Sequence, residues 1–127
     1  ILTSVTPIRS MKSPEWTDPN CVKAVLSHQG QALYFSRASI PFVREPETVG
    51  EVIEKPFYRQ LGVYLYRRKA LQTITSLPPS PLEQLEKLEQ LRALEAGLKI
   101  YAAIVSKSPV GVDTPADLKK LTGAGEI

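Results

Sequence analysis

Apolar and polar positions change period several times along the chain, and each change predicts an element. Residues 2–8 are rich in Thr, Val and Ile and suit a short strand, after which "RSMKSPEWTDPN" carries the Ser, Pro, Asp and Asn of a loop. Residues 21–37, "CVKAVLSHQGQALYFSR", predict two strands joined by a turn in which Gly30 can take a positive φ. The following "IPFVREPETVGEVIEKP" has three prolines and mixed polarity, so it predicts an irregular surface excursion. "YRQLGVYLYR" (58–67) alternates weakly and concentrates Tyr, Leu and Val, the pattern of a central strand, and "RKALQTITSL" predicts a short helix after it.

Beyond "PPSP", Ser80 suits an N-cap and Pro81 an N1 position, and the helical stretch they launch ends at Gly97 as a C′ glycine. Within it Leu82, Leu85, Leu88, Leu91 and Leu94 recur at steps of three. Each such step advances about 300° around an α-helix, so the stripe drifts by about 60° per leucine and would circle a straight helix. The pattern therefore predicts two short helices meeting near Leu88, each burying its own leucines, with Glu89 and Gln90 at the junction. "LKIYAAIV" (98–105) predicts the next strand, "SKSP" a turn, "VGV" a further short strand or its continuation, and Thr114 the start of a last helix. The order β, hairpin, β, α, α, β, α is α/β, with helices packed on a mixed sheet.

Composition narrows the function classes. The 127 residues are 43% hydrophobic and 23% charged, enough for one core of moderate size, hence one domain or part of one. A net charge of +3 suits an anionic small ligand, but no block of five like charges supports a nucleic-acid arm. No apolar run approaches membrane-span length, and the first residues do not resemble a signal peptide. The single Cys21 excludes an internal disulfide, fits a reducing cytoplasm and is expected as a small buried hydrophobe, while His28 is expected exposed at the hairpin tip. "ILTSVTPI" has no initiator Met, as though the chain were the middle of a longer polypeptide.

Candidate chemistry begins with "GVDTPADL". Thr114, Pro115 and Asp117 form an N-cap, an N1 proline and an N3 acid, which leaves Asp113 unexplained by helix capping. On the residues alone Asp113 is a turn aspartate or a ligand, Arg37 a surface arginine, Tyr64 a core aromatic and Glu89–Gln90 a solvated helix face.

Five stretches in order, "DPNCVKAVL", "ALYFSRASIPF", "YRQLGVYLYRR", "LPPSPLEQLEKLEQLRALEAG" and "VGVDTPADL", resemble the C-terminal half of the CMP-Kdo synthetase family, the 3-deoxy-manno-octulosonate cytidylyltransferases. The resemblance covers roughly residues 18–120. It implies a nucleotide-diphospho-sugar transferase (Rossmann-like) fold, a homodimer, and transfer of CMP from CTP to Kdo with Mg²⁺ as cofactor, in the cytoplasm of bacteria that build lipopolysaccharide. It also implies that Arg37, Gln60, Tyr64, Glu89 and Gln90 contact Kdo and that Asp113 is a metal ligand. Mg²⁺ takes a few carboxylates plus phosphate oxygens, which a strand-end aspartate suits. Many members carry His where this chain has Gln60, so the hydrogen bond is kept and the charge is not.

The family's N-terminal phosphate-binding loop and its "QGDEP"-like carboxylate segment have no counterpart here. The 127 residues are accordingly expected to be the C-terminal portion of one cytidylyltransferase domain, inactive alone, without a protein nucleophile. A related sugar-acid cytidylyltransferase and a non-catalytic dimerisation module are the competing expectations; leucines that keep no heptad weaken the second.

Overall fold

The strand sequences pair into one mixed sheet that positions everything else. A computed structural model describes residues 1–49, 57–106, 112 and 114–123, without the Leu121 side chain. The strands β1 (Leu2–Pro7), β2 (Lys23–Leu26), β3 (Ala32–Ser36), β4 (Tyr58–Leu65) and β5 (Tyr101–Ile104) lie in the order β3-β2-β4-β1-β5. β1 is antiparallel to β4 and parallel to β5, while β2 is antiparallel to both β3 and β4. The helices α1 (Pro14–Thr17), α2 (Arg68–Ser76), α3 (Pro81–Glu86), α4 (Gln90–Glu95) and α5 (Pro115–Gly123), with a 3₁₀ turn at Pro46–Thr48, complete the described elements.

The hairpin forms as its turn residues dictate. Gly30 sits at φ 80, and the Ser27 amide donates to the Gln31 carbonyl at 2.8 Å. His28 is exposed and Cys21 buried, as expected. The hairpin tip then reaches back to the far edge of the sheet: the Ala32 amide donates to the Ile100 carbonyl at 2.7 Å, and the Ala102 amide to the Gly30 carbonyl at 2.8 Å. The sheet curls until its first and last strands meet.

The leucine stretch breaks where its drift demanded. α3 ends at Lys87, whose φ of 55 is left-handed, and α4 starts at Gln90. Leu88 and Leu91 are buried, but Leu85 is 80% exposed, because the inward position of α3 is taken by Glu83 rather than by a second leucine. Gly97 closes α4 in a Schellman arrangement, its amide bonded to the Leu94 carbonyl and that of Leu98 to Ala93, both at 3.0 Å. Residues 98–100 are consumed in that exit, so β5 is shorter than the apolar run suggested.

One further expectation is corrected. The loop after β1 contains α1, begun by Ser13 and Pro14, because burial of Trp16 against Phe57, ring centroids 4.3 Å apart, makes one helical turn worthwhile. Lys23 is wholly buried, its ammonium donating to the carbonyls of Asp18 (2.7 Å) and Cys21 (2.5 Å), and burial lowers its pKa. The expected "VGV" strand falls almost entirely outside the described residues.

Glu83 ties α3 to α4. Its carboxylate accepts from Arg92 Nε (2.8 Å) and Nη2 (2.6 Å) and from the Ser80 amide (3.0 Å). The Arg92 bonds, followed by the Ser80 amide, hold its pKa below the ordinary 4.5. A carboxyl whose pKa is lowered in the folded state stabilises above its unfolded pKa and ceases to do so as pH falls through its folded value. Urea melts are therefore expected to show the wild type losing an advantage over Glu83→Gln below about pH 4, with the two converging in stronger acid. An equal gap at every pH would refute this role.

Candidate functional site

Four of the five residues expected to meet a sugar converge where β4, α2 and α4 approach. Gln60 and Tyr64 are brought to one side by β4, and Gln90 opens α4. Gln60 Nε2 donates to the Tyr64 hydroxyl at 2.6 Å, and Gln90 Nε2 donates to Gln60 Oε1 at 2.7 Å. Gln60 is buried, so these bonds are shielded from water. Tyr64, Glu89 and Gln90 line a cavity of about 170 Å³, with Tyr66, Ile74 and Arg92 completing much of its wall. That is smaller than the roughly 300–1,000 Å³ of a drug-sized ligand site and suits part of a small polyol.

Electrostatics make the two tyrosines donors. Burial is the main cause that pushes Tyr64 up to about 12; the Gln60 bond opposes it, and Tyr66 and Glu89 add to it. Burial and Glu89 raise Tyr66 as well. Both hydroxyls stay protonated at neutral pH. Their rings stack with centroids 5.8 Å apart, giving the cavity a rigid aromatic wall.

Arg37 lies apart from this cluster. Its Nε donates to the Glu86 carbonyl (2.7 Å), Nη2 to the Lys87 carbonyl (3.2 Å) and Nη1 to the Pro19 carbonyl (2.9 Å), while its amide donates to the Glu86 carboxylate (3.0 Å). The guanidinium thus clamps the turn that presents Glu89 and Gln90. Three of its five N–H groups are used, leaving two for a ligand oxygen.

Asp113 lies outside the described residues. Thr114 and Asp117 do form the expected capping box: the Thr114 amide donates to the Asp117 carboxylate at 3.0 Å, and the Asp117 amide to the Thr114 hydroxyl at 3.2 Å. Among the described residues no group of three or more His, Cys, Asp or Glu could hold a metal ion.

A larger hollow of about 650 Å³ is lined by Glu15, Asp18, Arg59 and Asp117 among others. Glu15 and Arg59 are paired with each other at 2.7 Å and Asp117 is held by Thr114 in the capping box, so the smaller cavity is the better candidate. Sequence reasoning missed Tyr66 and Arg92 as wall residues. The two-residue spacing of Tyr64 and Tyr66 on a strand was a signal for the first; the pairing of Arg92 with Glu83 across two helices left none.

Residues 2–100 match the family described as Cytidylyltransferase, and the chain belongs to that family. Within it the sequence is 53% identical over 109 residues to the 3-deoxy-manno-octulosonate cytidylyltransferase of Rhodopseudomonas palustris (strain HaA2), covering 83% of this chain and 40% of the relative. It is 46% identical over 116 residues to the enzyme of the same description from Myxococcus xanthus (strain DK1622), covering 91% of this chain and 45% of the relative. The solved structure of a CMP:2-keto-3-deoxy-manno-octonic acid synthetase complexed with CTP superposes with a TM-score of 0.84 at 39% identity, over 99% of this chain and 49% of that one. The fold is thus the Rossmann-like nucleotidyltransferase fold, and the chain corresponds to the C-terminal part of these relatives, spanning about 40% of the length of most of them. Among the described residues no helix is long and apolar enough to cross a membrane.

Proposed function

We propose that this chain supplies the sugar-binding portion of a cytoplasmic enzyme that transfers CMP from CTP to Kdo, releasing pyrophosphate. The observation that carries the reading is the convergence of Tyr64, Glu89 and Gln90 on one cavity from two distant parts of the chain, with Gln60 bonded to Tyr64 and Gln90 behind its wall. Hydroxyl, amide and carboxylate groups on a rigid wall are the chemistry that orients a polyol. Tyr64 and Gln90 offer hydrogen bonds to the sugar and Glu89 accepts from its hydroxyls, while the two remaining N–H groups of Arg37, which lies outside the cavity wall, are assigned to the sugar carboxylate on family resemblance alone. The sugar hydroxyl then attacks the α-phosphate with no protein nucleophile, so the contribution of these residues is orientation.

Mg²⁺, when bound, neutralises phosphate charge, and Asp113 is the residue of this chain assigned to it, on family resemblance. The portion that binds the CTP phosphates is assigned, on family resemblance, to the part of the relatives that these 127 residues do not span. The exposed Leu33 of β3 and Leu85 of α3, on neighbouring elements, favour a homodimer through this face.

The test is CMP-Kdo formation by the full-length polypeptide carrying this sequence. Tyr64→Phe and Gln90→Ala are expected to raise KM for Kdo by about tenfold, the worth of one shielded hydrogen bond, and to leave KM for CTP unchanged. A KM for Kdo that stays at the wild-type value in both variants, or a preference for a different sugar acid, would overturn the assignment.

A further inference from the structure

The cavity's hydrogen bonds trace back to a single backbone carbonyl. Thr3 is buried in β1, and its hydroxyl donates to the Val63 carbonyl at 2.8 Å. A carbonyl only accepts, so the one hydroxyl proton of Thr3 is spent there. Towards Gln60, at 3.1 Å, Thr3 Oγ1 is left as an acceptor, and the atom facing it has to be the amide nitrogen. The other N–H of that nitrogen goes to the Tyr64 hydroxyl, and Gln60 Oε1 is turned to Gln90, which must donate.

The consequences reach the ligand. Tyr64 accepts from Gln60, so its own proton points elsewhere and is available to a bound molecule. Gln90 has committed one N–H and keeps its other N–H and its carbonyl oxygen. Both N–H groups of Gln60 are consumed inside the protein, and it has no donor left for a sugar. With the amide turned over, Gln60 Oε1 would face Tyr64, the tyrosine proton would be drawn inward, and Gln90 would have to present its oxygen to Gln60.

The carbonyl that starts this chain is placed by an irregularity in the sheet. Thr3 pairs with Tyr64 and Val5 with Gln60, so one residue of β1 lies opposite three of β4, and Gly62 within that bulge sits at φ 74. In the bulge the Val63 carbonyl is met by the Thr3 side chain.

We infer that Thr3 is a positioning residue that sets the donor and acceptor polarity of the sugar cavity through Gln60 without touching the ligand. The inference rests on the sugar-site reading above and deepens it: the site is matched to a ligand oxygen that accepts from Tyr64, such as a carboxylate or ring oxygen.

Thr3→Val, close in shape but without the hydroxyl, is the test, with Thr3→Ser as the variant that keeps it. In the full-length polypeptide Thr3→Val is expected to raise KM for Kdo about tenfold or more with KM for CTP unchanged, and Thr3→Ser to restore it. The Gln60 side-chain amide, assigned in ¹⁵N-correlated NMR spectra by its loss in Gln60→Met, is expected to show one proton shifted upfield in Thr3→Val and neither in Thr3→Ser. Unchanged amide signals and KM in Thr3→Val overturn the inference, as does a Thr3→Ser variant equally impaired, which would make the role one of packing. If Thr3→Val loses its native circular dichroism, Thr3→Cys, a weak donor, takes its place in the same comparison. Should the wild type fail to saturate with Kdo, the sugar reading falls, while the amide signals still decide whether Thr3 orients Gln60.

Discussion

Gln60→Glu is expected to lower the affinity for Kdo about a hundredfold, roughly 2.7 kcal/mol, although the two side chains have the same shape. The substitution replaces two N–H donors by an oxygen. Thr3 Oγ1, whose proton is committed to the Val63 carbonyl, would then face an acceptor across the present 3.1 Å. Tyr64 would turn its proton to the new carboxylate, removing the donor that the ligand needs. Gln90 would still donate, so the loss is specific to the Thr3 and Tyr64 side of the cluster. Stability should fall as well, by about 1–3 kcal/mol, because Gln60 is buried and a charge there loses hydration.

The pH dependence distinguishes this from general damage. Burial raises the pKa of an introduced carboxyl in the folded state, so the folded protein binds its proton more readily than the unfolded chain does. Stability of Gln60→Glu relative to wild type should therefore rise as pH falls through that folded pKa towards the unfolded one. Once protonated, the introduced carboxyl regains a single donor. Urea melts at pH 8 and pH 5, with KM for Kdo at each, check this; a deficit that does not change with pH would refute it.

Phe35→Ala is expected to cost about 3–5 kcal/mol, against total stabilities of about 5–15 kcal/mol for domains of this kind. Phe35 is wholly buried in the cluster of Val5, Leu88, Leu91 and Ile100, where β3 meets α4. Truncation leaves a cavity that the curled sheet has little freedom to close, because the hairpin is held at both ends, by Gly30 and Ala32 on β5 and by Ser36 on Glu86 at 2.6 Å. The melting temperature should drop by roughly 10 °C or more. Two residues earlier on the same strand, Leu33 is 59% exposed, and Leu33→Ala should stay within about 0.5 kcal/mol in a monomer. Comparable losses in the two variants would mean that Leu33 is covered, as a homodimer through this face would do.

The elements were legible in the sequence wherever a local rule governs them. Gly30 in the hairpin turn, Gly97 at the end of α4, Pro81 at the start of α3, and Thr114 with Asp117 ahead of α5 each act over a few residues. The break between α3 and α4 was readable too, since the leucine steps state a geometric conflict that only a bend resolves. α1 was missed although Ser13, Pro14 and Glu15 suit a helix start, because what sustains so short a helix is the contact of Trp16 with Phe57.

Family resemblance named five residues for the sugar, and it could not say how they stand towards one another. Arg37 was expected to reach into the pocket; in the structure three of its N–H groups hold the carbonyls of Glu86, Lys87 and Pro19. Gln60, expected as a contact, is bonded in the structure to Thr3, Tyr64 and Gln90. By itself the sequence determined the types and approximate bounds of most elements, the α/β class and the family, because propensity, capping and motif spacing are written in neighbouring residues. Only the tertiary structure decided the curl of the sheet, the burial of Lys23 and the direction of every hydrogen bond around Gln60. Those depend on strand register and on partners that lie 57 residues apart for Gln60 and Thr3 and 30 for Gln90 and Gln60, a scale on which no local pattern constrains what meets what.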